Sequence, residues 1–309
     1  MTAGAKKFTV KFRGVRGSHP APGAGTVRYG GNTSCVEVRA GDHLIVFDAG
    51  TGIVSLGNEI SKSRQTSNDN KPLNLTILFS HTHHDHTQGF AFFKPAYFPV
   101  TTCHLYGPKL SEMELEDGLG KSMVSPYFPV ALSELSSVLD IRSLHESEII
   151  LFEDPCGQPK ILNYFRDDHS QIPFQVRVRV MHSLAHPNGG VFVYRVEMDG
   201  KSLVYATDTE GYSGGDQKLI RFAKGTDLLI HDSQYMPNDY VQGEVIVQGF
   251  GHSTVDMAAE VASQAGAKRL ALYHYDPLYD DSVIESMEKR AQQIFKDSVA
   301  SHEGLEIEL

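Results

Sequence analysis

Apolar and polar positions along this chain alternate with a period of two in some stretches and with a helical period in others. FTVKFRGV (residues 8–15) alternates like a half-buried strand. SCVEVRAGDHLIVFDAG (34–50) reads as two strands turning at Ala40-Gly41-Asp42, and LNLTILFS (73–80) as a short buried strand. The polar run SKSRQTSNDNKP (61–72) predicts a surface loop. FQVRVRVMHSL (174–184) alternates again, and VFVYRVEMDGKSLVYATD (191–208) predicts a hairpin turning at Asp199-Gly200. The last third changes rhythm. TDLLIHDSQ (226–234) and KRLALYHYDP (268–277) read as strands, TVDMAAEVASQAGA (254–267) and SVIESMEKRAQQIFKDSVA (282–300) as helices. Two mixed sheets with helices outside them satisfy both halves.

Composition narrows this picture without changing it. With 309 residues, 40% hydrophobic and 21% charged, one domain spanning residues 1–309 is expected. The stretch of about 107–173, rich in turns and acidic loops, is a candidate insert covering a site. No run reaches the roughly 18 apolar residues of a membrane helix, and the start has no apolar signal region, so a cytoplasmic protein without membrane contact is expected. Cys35, Cys103 and Cys156 are odd in number, widely spaced and without a CxxC pair, which favours buried free thiols over disulfides or thiolate metal sites. A net charge of −10 argues against a stable nucleic-acid partner.

The chemistry concentrates in ILFSHTHHDHTQGF (77–90), where four histidines and an aspartate follow an apolar strand. His81 and His83 can face one way from an extended segment, while Asp85 and His86 follow where the chain turns. Imidazole and carboxylate are the donors that zinc and similar cations accept, and such spacing can serve two neighbouring cations. Completing two coordination spheres requires more donors from distant strand ends. SLAHPNGG supplies His186, YATDTEG supplies Asp208 and LALYHYDP supplies His274.

In this order of residues the chain resembles the metallo-β-lactamase superfamily. The resemblance implies an α/β fold, the αββα four-layer sandwich of two mixed β-sheets flanked by helices. It implies one cation held by His81, His83, His186 and Asp208, and a second held by Asp85, His86, His274 and the bridging Asp208. Zinc is the first candidate; Mn, Fe, Co and Ni accept the same donors. Asp48, in VFDAGTGI, would orient ligands by hydrogen bonding. GFGHSTVDMAAE resembles the histidine motif of the ribonuclease Z and phosphodiesterase branch, making His252 a proton donor. The glycine-rich GVRGSHPAPGAGTVRYGGNTSC resembles the start of that branch and offers His19, Arg28 and Asn32 as substrate contacts. His84 is expected to fill the space between ligands, and His104, His182 and His231 to have packing or surface roles. His231 and Asp232 stay open as contributors to the site.

The reaction implied is phosphodiester hydrolysis by a metal-activated water, with Asp85, Asp208 and His252 as the catalytic groups. Ribonuclease Z enzymes carry an RNA-grasping arm between the positions of His186 and Asp208, an interval of only 22 positions here. That short interval and the acidic charge favour a small anionic nucleotide, with a 3′,5′-cyclic one as the expected substrate. The alternatives are a tRNA 3′-processing endoribonuclease and an acyl hydrolase of the lactonase, thioesterase or β-lactamase kind. Resemblance also implies a homodimer.

Overall fold

The alternating N-terminal runs pair as their periodicity requires, in a computed structural model that describes residues 6–110, 112–153, 157–169, 172–212, 214–243 and 245–309. The first half contributes β1 (Phe8–Gly14), β2 (Cys35–Ala40), β3 (His43–Phe47), α1 (Ile53–Ser67), β4 (Leu73–Leu78), the single turn α2 (His84–Thr87), β5 (Thr101–Pro108), α3 (Leu115–Ser122) and β6 (Val138–Leu144). Next come β7 (Glu148–Phe152), β8 (Lys160–Asn163), β9 (Val176–Ser183), β10 (Val191–Met198), β11 (Lys201–Ala206) and α4 (Gln217–Phe222). The chain ends with β12 (Leu228–Asp232), α5 (Pro237–Gln242), α6 (Val255–Ala265), β13 (Leu270–Tyr273), α7 (Asp281–Ile294), β14 (Ser298–Ala300) and β15 (Glu306–Glu308).

These strands form a seven-stranded sheet in the order β15-β1-β2-β3-β4-β5-β6 and an eight-stranded sheet in the order β14-β13-β12-β11-β10-β9-β7-β8. Each is mixed. In the first, β3 to β6 run parallel, and in the second β11 to β14 do. Period-two alternation turns Val10, Phe12, Val36, Val38 and Phe47 inward against Val178, Tyr194, Val196 and Tyr205. On the other face of the first sheet, Val46, Leu75, Ile77 and Leu105 pack with Ile53 and Leu56 of α1 and Leu115 and Leu119 of α3. Apolar positions of α6 and α7 close the second sheet. This is the αββα sandwich expected. The β10–β11 turn has positive φ at both Asp199 (48°) and Gly200 (76°), the conformation a two-residue hairpin needs to match strand twist.

Two elements differ from the sequence reading. Residues 61–67, expected in a loop, complete α1, which ends only where Asn68 turns left-handed (φ 49°). Their hydroxyls fold back onto the helix: Ser61, Thr66 and Ser67 donate to the carbonyls of Gly57, Lys62 and Ser63. The turn-favouring side chains are thereby absorbed by their own helix. Likewise Ser298–Ala300, read as the end of a helix, is β14, because pairing with the free edge of β13 outweighs local helical pattern. Residues 107–173 build β6 at the rim of one sheet and β7 and β8 at the rim of the other. Their helix α3 approaches the histidine run so closely that a Cβ at Gly118 would lie 3.1 Å from Thr82 Cγ2. Cys35 and Cys103 are buried free thiols; Cys156 lies outside the described residues.

Phe47 joins the two sheets. Fully buried, it stacks on Tyr205 at 4.7 Å between centroids and on Tyr194 at 5.7 Å. Phe47→Ala should therefore cost about 3–5 kcal/mol of unfolding free energy, read from urea denaturation.

Candidate active site

Asp48 follows β3, His81 to His86 follow β4, His186 lies between β9 and β10, Asp208 follows β11, Asp232 ends β12 and His274 follows β13. Parallel strands deliver their C-terminal ends to the same side, so residues far apart in sequence meet at one edge of the sandwich. The backbone bends sharply to aim them: Asp48, Asp208 and His274 have φ of 57°, 51° and 65°. Left-handed backbone at non-glycine residues costs on the order of 1–3 kcal/mol each and persists only where surrounding contacts enforce it.

Those contacts are present. The Asp48 carboxylate accepts bonds from Ser80 N (2.7 Å), Ser80 Oγ (2.9 Å), His86 Nδ1 (2.8 Å) and Tyr205 OH (2.7 Å). His186 Nδ1 donates to the Gly251 carbonyl at 3.1 Å, and His274 Nδ1 to Gln234 Oε1 at 3.0 Å. His81 Nδ1 lies 3.1 Å from Ser80 Oγ, whose own proton goes to Asp48. With its proton held on Nδ1, each of these four rings presents an Nε2 lone pair to the shared space.

Two donor groups result. One joins His81, His83, His186 and Asp208, the other Asp85, His86, Asp208 and His274. Within each, one ligand atom per residue lies within 4.8 Å of all the others. Asp208 belongs to both: His86 and His274 Nε2 are each 3.2 Å from its Oδ1, and His81 and His186 Nε2 are 3.6 and 3.7 Å from its Oδ2. The donor set suits divalent cations. Buried His81 Nε2 has no hydrogen-bond partner, and His86 and His274 Nε2 face each other at 3.2 Å, an arrangement of lone pairs that calls for positive charge between them.

The electrostatics agree. Burial drives His81 well below its ordinary pKa, and His86 adds to the effect. Burial opposes ionisation of Asp208, yet His274, His86 and His81 hold its carboxyl well below the usual range. At His86 burial acts against the charged form, but Asp85, Asp208 and Asp48 raise it well above its ordinary value. The carboxylates thus demand positive charge, which a cation in the same cradle would supply in place of that proton.

His252 stands beside both groups without completing either. Its Nδ1 lies 2.8 Å from Asp232 Oδ2 and 4.0 Å from Asp208 Oδ2. Burial disfavours its charged form, but Asp232 outweighs burial and raises it to about 9. Asp232, left open by the sequence, is a hub: its carboxylate also accepts from the backbone N–H of Asp208 (3.0 Å), Ser253 (2.9 Å) and Gln234 (3.1 Å). Its signal was its place at the end of a strand flanked by the Asp208 and His274 strands. With Asp208, His252 and His274 it forms a third group of closely spaced donors. His231 instead turns away, bonding the Asp232 carbonyl.

The glycine-rich start reaches the site through different residues from those expected. Ser18 N donates to Asp85 Oδ2 at 2.8 Å, and a Cβ on Gly17 would lie 2.5 Å from His274 Cε1. Arg28 instead pairs with Glu285 of α7 at 2.9 Å, and Asn32 Nδ2 donates to Glu303 at 2.9 Å. His19, next to Ser18, is exposed and bonds the Pro20 carbonyl. Exposed His84 faces solvent rather than filling the space between ligands. His104 and His182 have structural partners, Asp140 and the Gly189 carbonyl.

Comparison with known proteins decides the family. The Beta-lactamase superfamily domain matches residues 43–275, from β3 through His274. This chain belongs to the metallo-β-lactamase superfamily. As a member it is a metal-dependent hydrolase. It is 24% identical over 325 residues to a ribonuclease Z of Picrophilus torridus, covering 98% of this chain and 96% of that one. Among solved structures, the metallo-β-lactamase fold protein YhfI from Bacillus subtilis superposes with a TM-score of 0.64 at 17% identity, over 98% of this chain and all of that one. The short form of human tRNase Z does so with a TM-score of 0.57 at 19% identity, over 97% and 98%.

These relatives correct one expectation. A small anionic nucleotide and no nucleic-acid partner were expected, whereas relatives aligned over nearly the whole chain are named ribonuclease Z. The expectation leaned on net charge, which averages over a surface whose local potential alone meets a substrate. No helix among the described residues is long and apolar enough to cross a membrane.

Proposed function

We propose that this metallohydrolase is a phosphodiesterase cleaving RNA, with 3′-extended tRNA precursors as its substrate class. Two divalent cations, zinc first among the candidates, would be held by the two donor groups that share Asp208. The observation that carries this reading is the Asp232–His252 pair, an imidazole with Nδ1 2.8 Å from a buried carboxylate, set beside both donor groups. When bound, such cations activate water and neutralise charge on phosphoryl oxygens. The residues supply the rest. Asp232 holds the proton on His252 Nδ1 and favours the charged form of the ring, so Nε2 can protonate a departing ribose alkoxide. Once that proton leaves, the same carboxylate keeps the neutral ring in one tautomer and orientation. RNA as the substrate is supported by the ribonuclease Z relatives.

The test is incubation of the zinc- or manganese-loaded protein with a 3′-extended tRNA precursor and mapping of product ends. Cleavage near the tRNA 3′ end is expected. Intact RNA, with turnover of nitrocefin or a thioester, would overturn the reading in favour of acyl transfer.

Asp48 offers a separate check. Asp48→Asn places an amide where the carboxylate accepts four bonds, so Ser80, His86 and Tyr205 cannot all stay satisfied. Metal affinity should fall about 10–100-fold by chelator competition, the usual effect of losing a ligand's orienting partner.

A further inference from the structure

Glu210 lies two residues beyond Asp208 and joins neither donor group, yet three hydrogen bonds, one from α5 and two from the loop after it, converge on its carboxylate. Oε1 accepts from Gly249 N at 2.7 Å and from Tyr240 OH, and Oε2 accepts from Gly251 N at 2.9 Å. The next residue is His252. On its own strand side, Glu210 N donates to the Ala185 carbonyl at 3.2 Å, one residue before His186.

The loop that carries His252 is held upstream by polar contacts to Glu210 and to the His186 ring. It runs between the end of α5 at Gln242 and the start of α6 at Val255. Its apolar side chains face outward, with Val245 62%, Ile246 63% and Phe250 52% exposed, so burial contributes little to its position. Gly249 and Gly251 adopt φ of 90° and 92°, and a Cβ on Gly251 would lie 2.3 Å from His186 Nδ1. A backbone so placed requires polar anchors. Downstream, Asp232 anchors Ser253 N and the His252 ring. Upstream, Glu210 holds the Gly249 and Gly251 N–H groups, beside the bond from His186 to the Gly251 carbonyl.

We propose that Glu210 is a positioning residue for His252, fixing the loop between α5 and α6 against Tyr240 so that the imidazole edge opposite Asp232 points at the leaving group. The inference rests on His252 being the proton donor. Positioning matters because proton transfer to a poor leaving group depends steeply on hydrogen-bond reach and angle.

The experiment uses full-length, metal-loaded protein and two substrates. The RNA precursor has an alkoxide leaving group, and bis(p-nitrophenyl) phosphate has one that needs little protonation. Glu210→Ala should lower kcat on RNA about 10–100-fold with KM changed less than about threefold and metal content intact. The p-nitrophenyl ester should lose less than about threefold. Glu210→Gln, which keeps one acceptor oxygen, should recover part of the loss. Tyr240→Phe, which removes one bond of the three, should show a smaller loss of the same kind and serves if the alanine variant misfolds. In a His252→Ala background, Glu210→Ala should add less than about twofold, because the two residues act as a unit. Additive losses, equal losses on both substrates, or a loss reversed by excess metal would overturn the role of Glu210 while leaving the proposed function standing. If the parent protein leaves RNA uncut, or His252→Ala shows no preference for the alkoxide substrate, the proposed function falls and this inference with it.

Discussion

Asp208→Ala should reduce bound metal from about two cations per chain to less than one and lower phosphodiester hydrolysis to below about 1% of its starting rate. One carboxylate stands between four imidazoles: Nε2 of His86 and His274 at 3.2 Å, His81 at 3.6 Å and His186 at 3.7 Å. Its removal takes a donor from both groups at once and leaves the rings without their shared counter-charge. His186→Ala, which takes a donor from one group only, should leave the other cation in place. Elemental analysis after dialysis separates the two variants. Alanine at a φ of 51° adds strain of roughly 1–2 kcal/mol, so Asp208→Asn, a residue that tolerates left-handed backbone, should accompany it to separate lost charge from lost stability. Retention of both metals and of activity in Asp208→Ala would remove the basis of the shared site.

His252→Ala should keep its metal and lose about 10²- to 10⁴-fold in rate on RNA, the range expected for a missing general acid. The p-nitrophenyl diester should suffer far less, since p-nitrophenolate departs without a proton. Asp232→Asn should imitate the defect in part: the amide can still accept one bond but no longer sustains the charge on His252. Equal losses on both substrates would assign His252 to substrate positioning instead. Loss of metal in His252→Ala would make it a ligand, an outcome tied to the third donor group of Asp208, Asp232, His252 and His274.

The candidate site is most legible in the sequence where its residues fall in short segments. His81, His83, Asp85 and His86 crowd one strand end, and His186, Asp208 and His274 each follow a strand whose alternation is plain, so their convergence follows once two mixed sheets are inferred. Arg28 and Asn32 were legible only as residue types. Their partners, Glu285 and Glu303, lie more than 250 positions away, and no local pattern announces them. The same holds for the substrate, where a chain-wide charge and a short interval between two strands pointed to a small nucleotide, away from the ribonuclease Z relatives that nearly the whole chain aligns with.

The sequence by itself determined the alternation that builds two sheets, the order of the metal-type donors and the hairpin at Asp199-Gly200, because each depends on neighbours within a few residues. Only the tertiary structure decided what Asp232, Glu210 and Ser18 do. Asp232 sits between Asp208 and His274 because β12 lies between β11 and β13, and meets His252 twenty residues on; Glu210 meets Gly249 and Gly251 across about forty residues of chain, and Ser18, beyond β1, reaches Asp85, beyond β4, three strands away in the same sheet. Hydrogen bonds of this kind are set by which strands pair and how loops cross the sheet edge, and that information is spread over the whole chain.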